Sequence, residues 1–419
     1  MKFTINTAEF KRVMQLVKTV AESSVSVKSD VHSICLLRAF PKESKLRLDF
    51  SLKGSFLSYQ FEDIEIADVE TDGEEFRRSV DLGVLSSLKF SGKTVSISLG
   101  KNKEGNTIAF SSGKMTGKLV VSHPDIEREV EASRPKDNSV ELKHMFSSSM
   151  FLKALSGHNY GSHHNSAEAA KRPVRIYRND EVAKDTLLFV SKDKLTAARI
   201  AKSYDVPTKH PIDFYILPKP LQAILNSASV ESPTFYLGTS KDCWRLSCGQ
   251  IDVWYPNIIQ LASVNLEELR EKVENLPSYA LKIPVKELDD ALEELSPFTD
   301  KSALFSKEDM PIVNLTTEKA RTYFSINTTK AKDVLVELEG AEFTNKIGVA
   351  PNDDLMLNFK SLSECVEALT KNDTGEHLTI RWWPYQDPSS PTKGKTVCIS
   401  MDDNYYWISR VLPTGNKVV

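Results

Sequence analysis

Three groups of residues in the chain have types and spacings that suggest chemistry. Ser91-Gly92-Lys93-Thr94 has the ending of a phosphate-binding loop, but the position where such a loop needs its first glycine is Ser87, and strand-like residues follow where a helix is required. His158, His163 and His164, with Glu168 nearby, offer imidazoles and a carboxylate to a metal. Their spacing fits no common ligand pattern, and the stretch His158–Arg172 reads as a flexible or partly helical insertion. Asp353-Asp354 and Asp402-Asp403 are acid pairs of the kind that hold two metals in nucleases, yet both fall where turn residues are expected. Neither a nucleophile elbow nor a dinucleotide-binding glycine fingerprint is present. The expectation is a protein with no cofactor, no metal and no catalytic centre. A metal-dependent nuclease or hydrolase stays open as the less favoured alternative.

The 419 residues suffice for several domains, each with a core of its own, and 40% hydrophobic with 26% charged is the composition of a soluble protein. No apolar run is long enough to cross a bilayer, and the start lacks an apolar signal region. Cysteines 35, 243, 248, 365 and 398 are scattered and odd in number, which suits reduced core thiols in the cytoplasm better than disulfides. A formal net charge of −3 argues against a protein that grips nucleic acid over its whole surface; a local basic face would be needed.

Around these residues the chain is built from a repeated module. Phe3–Ser23 reads as a short strand feeding a helix, with Asn6 as cap and Glu9 three residues later in the manner of a capping box. Phe10, Val13, Met14, Val17, Val20 and Ala21 fall on one helical face; Lys11, Gln15 and Lys18 fall on the other. The pattern returns at Val140 and Leu281, and a second series starts at Arg77, Asp213 and Lys346. Six modules thus pair into three similar thirds, each closing on strand-like runs that end in proline, at Pro124, Pro256 and Pro413. Glu131–Asn138 and Leu266–Ser278 read as linkers, the second with a helical turn of its own, and Gln386–Lys395 as a hairpin tip. The expected fold class is α+β, with domains at 1–135, 136–277 and 278–419, each having two helices backed by antiparallel sheets.

In this order and spacing the chain resembles the bacterial-type DNA sliding clamp, the beta subunit of the replicative polymerase, over essentially its whole length. The resemblance is carried by the opening MKFTIN, by VWYPNIIQL at Val253–Leu261, and by KIGVAPNDDLMLNFKSLSECVEAL paired with the late VCISMDDNYYWISRVLP. It implies a head-to-tail homodimeric ring, with helices lining a hole around duplex DNA. A loader opens such a ring, and polymerase and other factors dock on it through a short peptide. Weak, sequence-blind phosphate contacts suit a protein that must slide, because closure rather than affinity keeps it on DNA.

For individual residues the resemblance implies hole-facing cations at Lys11, Arg12, Lys18, Lys89, Lys153, Lys219, Lys360 and Lys371, with Gln15, Gln222 and Asn226 as neutral partners; each is otherwise a solvated surface side chain. One helix departs. Glu287, Asp289, Asp290, Glu293 and Glu294 would repel phosphate if turned inward, so either that face looks outward or the ring is less basic inside. The partner-peptide pocket falls on Lys192, Asp193, Leu195, Pro256, Gln260, Leu261, Arg410, Val411, Leu412 and Pro413, with interface packing between domains as the alternative. Where the family has a T-D-G-H-R-L phrase, this chain reads Lys192-Asp193-Lys194-Leu195-Thr196-Ala197, and only the aspartate persists. The dimer seam falls on Ile108 and Phe110 opposite Leu292, Leu295 and Phe298, for which core packing is the equal alternative. The chain runs on past Pro413 to Val419, where the family stops sooner. Divergence with retained architecture points to a phage or mobile-element version, working in the cytoplasm of a bacterium or of an infected one. A clamp-fold scaffold that has lost DNA is the other open reading.

Overall fold

The structure is a computed structural model. It describes residues 2–23, 34–52, 55–62, 64–67, 76–98, 107–121, 127–128, 130–131, 134–135, 140–158, 173–178, 186–191, 194–199, 212–228, 233–240, 243–256, 266–299, 311–318, 321–327, 332–351, 355–370, 375–384 and 394–411. All six strand-then-helix modules are formed. The first repeat runs β1 (Lys2–Asn6), α1 (Thr7–Ser23), β2 (Ile34–Phe40), β3 (Lys45–Leu52), β4 (Ser55–Phe61), β5 (Glu65–Ala67), β6 (Phe76–Asp81), α2 (Leu82–Ser87), β7 (Thr94–Ser98), β8 (Thr107–Ser112) and β9 (Met115–Val120). The second runs β10 (His144–Ser147), α3 (Ser148–Leu155), β11 (Val174–Arg178), β12 (Thr186–Val190), β13 (Lys194–Arg199), β14 (Asp213–Ile216), α4 (Pro218–Ala228), β15 (Thr234–Thr239), β16 (Cys243–Cys248) and β17 (Ile251–Pro256).

After a connector helix, α5 (Leu266–Asn275), the third repeat runs β18 (Tyr279–Pro284), α6 (Val285–Leu295), β19 (Ile312–Glu318), β20 (Arg321–Ile326), β21 (Val334–Glu337), β22 (Glu342–Asn345), β23 (Leu355–Asn358), α7 (Phe359–Thr370), β24 (His377–Trp382), β25 (Thr396–Met401) and β26 (Asn404–Val411). The mixture of helices with antiparallel sheets is the α+β class expected from the sequence. The expected helical turn in the linker is a helix of 10 residues, α5.

By packing, the chain divides into two compact units, Met1–Leu152 with Ile200–Ile259, and Lys153–Arg199 with Gln260–Val419. The units follow the sheets rather than the thirds of the sequence, because sheets cross between repeats. In the first unit β10-β15-β16-β17 of the second repeat continues into β4-β3-β2-β6 of the first, joined where Trp254 pairs with Phe56 and Ile251 with Tyr59. In the second unit β18-β24-β25-β26 of the third repeat continues into β13-β12-β11 of the second, joined where Leu195 pairs with Tyr405. Each junction therefore joins the third meander strand of one repeat to the last strand of the next.

Among the described residues, two half-sheets remain. β1-β7-β8-β9 ends at β9, and β23-β19-β20-β21 ends at β21. The second of these also touches the end of β26, through Met356 opposite Val411.

Alternation sets the layers. In β4, Leu57 and Tyr59 face the helix side and Phe56 the other, as a period of two requires. Helix α1 buries Phe10, Val13, Val17 and Val20 against this layer and packs on α4. Asn6 Oδ1 accepts from the N–H groups of Ala8 (2.8 Å) and Glu9 (3.2 Å), which caps α1. The reciprocal half of the capping box is not used, since the Glu9 carboxylate instead accepts from the Tyr59 hydroxyl at 2.8 Å.

Candidate nucleic-acid interface and seam surfaces

The helical periodicity that buries one face of each helix leaves the other to solvent. Lys11, Gln15 and Lys18 form the exposed stripe of α1, Lys153 is exposed on α3, and Lys219 and Asn226 are exposed on α4, with Gln222 half-buried. Lys360 is exposed on α7 and sits 3.8 Å from Glu364, one turn on. Ammonium groups on long flexible stems attract phosphate without reading bases.

Three expected cations behave differently. Arg12 is half-buried and donates to the Tyr59 hydroxyl at 3.1 Å, so its guanidinium ties α1 to β4. Burial, with Glu9 alongside, pushes that phenol well up despite Arg12. Lys89 is exposed but lies beyond the end of α2, and Lys371 is outside the described residues. On α6, Asp289, Asp290, Glu293 and Glu294 are all exposed, with Glu287 half-buried; partial burial, then Glu293 and Asp290, raise the Asp289 carboxyl.

Few of the residues expected in the partner pocket are among the described ones. Lys192, Asp193, Gln260, Leu261, Leu412 and Pro413 lie outside the described residues, and Pro256 ends β17 in the other compact unit from Leu195, Arg410 and Val411. Lys194, where the family phrase has glycine, is 3% exposed and points to the helix side. Its ammonium donates to the carbonyls of Ser156 (2.8 Å), just past α3, and Ala368 (3.4 Å), in the last turn of α7. A cation between two helix C-termini is favourably placed. Gly157, at φ +77°, lets these elements meet; a Cβ there would lie 2.5 Å from the Lys194 amine.

His158 is buried beside the same amine, its Nδ1 2.8 Å from the Ser191 hydroxyl. Burial first, then Lys194, holds the imidazole well below its usual range, so it is neutral. His163, His164, Glu168, Asp353 and Asp354 are outside the described residues. Asp402 and Asp403 make the turn between β25 and β26, with Asp402 at φ 48°. Among the described residues no three or more His, Cys, Asp or Glu gather to hold a metal.

Leu195 faces the other way, and there the structure places something the sequence did not disclose. Val273 of α5 is buried over Leu195, Tyr405, Trp407, Leu188 and Trp383, with Leu269 against the same cluster. The Tyr405 hydroxyl donates to Glu274, which also accepts from Arg270 at 3.2 Å, and Arg270 lies over the Tyr405 ring at 5.3 Å. The first junction has a matching cover: Val130 is buried over Trp254, Phe56, Ile34 and Leu36. Its chain is held by Glu127, which accepts from the Ser79 N–H at 3.0 Å, and by a Glu131–Arg77 ion pair. Each connector, following the last strand of its repeat in the sequence, thus lids one junction. Valines inside polar linkers, Val130 in IEREVEA and Val273 in LREKVEN, were the available signal.

Of the residues expected at a dimer seam, four are core. Ile108 and Phe110 are buried, with Phe110 edge-on to Phe90 at 5.6 Å and Phe90 edge-on to Phe10 at 5.5 Å. Leu292 and Leu295 are buried in the third repeat. The physical reason is parity and helical phase: each lies on the inward face of its element. Phe298 alone is exposed, at 40%. The two free half-sheets carry other apolar side chains in the open: Val120 on β9 is 74% exposed, Leu335 on β21 63%, and Val84 on α2 51%. Beside them stand Lys118 on β9 and Glu337 on β21, both exposed.

No protein-family model matches the sequence, and no curated protein does. Solved structures do. The DNA polymerase sliding clamp of Bacillus subtilis superposes with a TM-score of 0.69 at 12% identity, over 98% of this chain and 99% of that one. The DNA polymerase III beta subunit of Thermotoga maritima gives 0.68 at 13% identity, over 98% and 99%. The beta sliding clamp of C. crescentus gives 0.69 at 12% identity, again over 98% and 99%. The resemblance read from the sequence holds across the full length at the level of architecture: the chain has the fold of the bacterial DNA sliding clamp.

Proposed function

We propose that this protein is a DNA sliding clamp, a non-enzymatic processivity factor that encircles duplex DNA as a head-to-tail ring of two copies. The observation that carries this reading is the pair of unfinished half-sheets. Both internal junctions join a third meander strand to a last strand, and among the described residues the strands of these kinds left over are β21 and β9. A β9 from one copy laid on the β21 of another would make a third junction of the same kind, cover Val120 and Leu335, and set Lys118 near Glu337. It would also bring Val84 on α2 toward α6 and Phe298, since α1 meets α4 at the first junction. An unpaired strand edge with exposed apolar residues needs a partner, and two copies consume both edges.

Three domains per copy, at 1–135, 136–277 and 278–419, then face DNA through Lys11, Lys18, Lys153, Lys219 and Lys360, with Gln15, Gln222 and Asn226 between them. Polymerase and loader dock by short peptides near Leu195, Pro256, Arg410 and Val411. The setting is the cytoplasm of a bacterium or a phage-infected one, and no cofactor is needed. The acidic face of α6 favours a second reading, a clamp-fold scaffold without DNA.

Charge reversal separates the two. Lys11→Glu with Lys18→Glu in the full chain is expected to abolish weak, salt-sensitive binding to a fluorescent duplex at low ionic strength. No binding by the unaltered protein favours the scaffold, and binding that the reversal leaves unchanged removes Lys11 and Lys18 from the DNA-facing set.

A further inference from the structure

The outward face of the third repeat's sheet carries a hollow beside α5. On β18, Tyr279, Leu281 and Ile283 turn to the core, so Ala280 and Lys282 turn out. On β24, Leu378, Ile380 and Trp382 turn in, so Thr379 and Arg381 turn out. Strand pairing sets Arg381 and Thr344 on either side of Ala280, and Thr379 and Glu342 on either side of Lys282. A small side chain among long ones leaves a depression, and the C-terminal end of α5 overhangs it through Val273, Glu274 and Leu276. The result is a cleft of about 230 Å³, wholly within the second compact unit.

Its charges are divided between two sides. The floor and one rim carry the donors Lys282, Arg381 and Lys346. Lys346 is fixed at the rim, because its N–H donates to the Ser278 carbonyl at 3.1 Å and Asn345 Oδ1 accepts from Ile347 and Gly348, both at 3.0 Å, in the turn that follows. Arg381 Nη1 donates to Ser400 Oγ at 2.9 Å, which orients the guanidinium without neutralising it. Among the described residues neither Lys282 nor Lys346 has an ion-pair partner, although Glu342 stands across from Lys282. The other side carries acceptors: Glu342, and the last turn of α5 with the partial negative charge of a helix C-terminus. Glu274 adds less, since Arg270 and Tyr405 already hold its carboxylate.

This division selects the ligand. The volume lies below the roughly 300–1,000 Å³ of ordinary small-molecule sites, which suits a side chain with its own backbone better than a nucleotide. A nucleic-acid strand would meet Glu342 and the helix end as well as the cations. A peptide satisfies both sides, with a carboxylate for the cations and backbone N–H groups for the acceptors.

We propose that the cleft binds a carboxylate side chain of an acidic peptide segment, held by Lys282, Lys346 and Arg381. Arg381 offers a planar fork to two carboxylate oxygens, and the lysines add point charges on flexible stems. The site needs neither the ring nor duplex DNA, so it goes beyond the reading above and gives a partner a second, polar anchor.

The test uses the full-length protein and a fluorescein-labelled peptide of alternating glycine and glutamate, read by anisotropy at low ionic strength, with a glycine–lysine peptide as control. The cleft variant is Lys282→Glu with Lys346→Glu; both lysines are exposed, so the fold should be retained, and thermal unfolding checks this. Lys42→Glu with Lys332→Glu changes the net charge equally at exposed lysines that do not line the cleft. The unaltered protein should bind the glutamate peptide saturably and ignore the lysine peptide. Binding should weaken at least about tenfold in the cleft variant and stay unchanged in the control variant. No binding by the unaltered protein, or equal weakening in both variants, overturns the proposal. A labelled oligonucleotide that binds and is lost in the cleft variant, where the glutamate peptide does not bind, overturns it in favour of nucleic acid.

Discussion

Leu195 on β13 and Tyr405 on β26 stand directly opposite each other at the junction of the second and third repeats, and Val273 of the connector is buried against both. Phe56 and Trp254 have the same relationship at the first junction, under Val130. Backbone pairing sets the register of each junction, and an apolar residue from a polar linker keeps water from its outer face.

Val273→Asp should therefore loosen one junction specifically. A carboxylate would be buried among Leu195, Tyr405 and Trp407, where the nearby Arg270 already serves Glu274, at a cost of about 3 kcal/mol or more. Urea unfolding should shift accordingly, with a red-shifted emission from Trp383 and Trp407 below the main transition.

The acid limb of stability should carry a signature of Glu274. Burial alone would raise this carboxyl, but the hydrogen bonds from Tyr405 and Arg270 and the charges of Arg270 and Arg381 hold it below its usual value. A depressed folded value means that its stabilisation is complete above the unfolded value, about 4.3, and is lost as pH falls through the folded one. Glu274→Gln should be less stable than the unaltered protein at neutral pH, and the difference should close on acidification. The Tyr405 phenol, pushed up to about 12 by burial and Glu274, should stay protonated throughout.

Lys194 gives a third expectation. Lys194→Met keeps the stem and removes the ammonium from the Ser156 and Ala368 carbonyls, which should cost about 1–3 kcal/mol. Gly157→Ala should be destabilising by a similar amount, because it combines a left-handed backbone with contact on the same amine. Thermal unfolding of each, with the double variant showing less than the sum, checks that they act at one site.

Leu335→Asp addresses the proposed ring. The residue is largely exposed in the single chain, so thermal stability should be almost unchanged. Dimerisation should weaken by at least about tenfold, the equivalent of losing one buried leucine.

Much of this was legible in the sequence. The heptad-like spacing of Phe10, Val13, Val17 and Val20 fixed which side of α1 holds Lys11, Gln15 and Lys18, and the recurrence of the module gave the repeat count. Parity was less decisive. Ile108 and Phe110 alternate with polar or small neighbours, a pattern that core and seam residues share, and only the rings of Phe90 and Phe10 show that they turn to the core. Arg12 lies on the helix where a DNA contact is reasonable, but its partner Tyr59 is 47 residues away, beyond any local pattern. Leu335 could have been found: three successive apolar residues, Val334 to Val336, must leave one facing out of a strand. The α5 lid rests on one valine in a highly charged helix, a signal too thin for periodicity to register.

The most direct test of the central claim is the native mass of the purified full-length protein, taken together with electron microscopy of the same sample. The account predicts a dimer of this 47.0 kDa chain appearing as a closed ring, with a hole wide enough for duplex DNA. A compact or elongated monomer that persists at high protein concentration, with β9 and β21 unpaired, would contradict it.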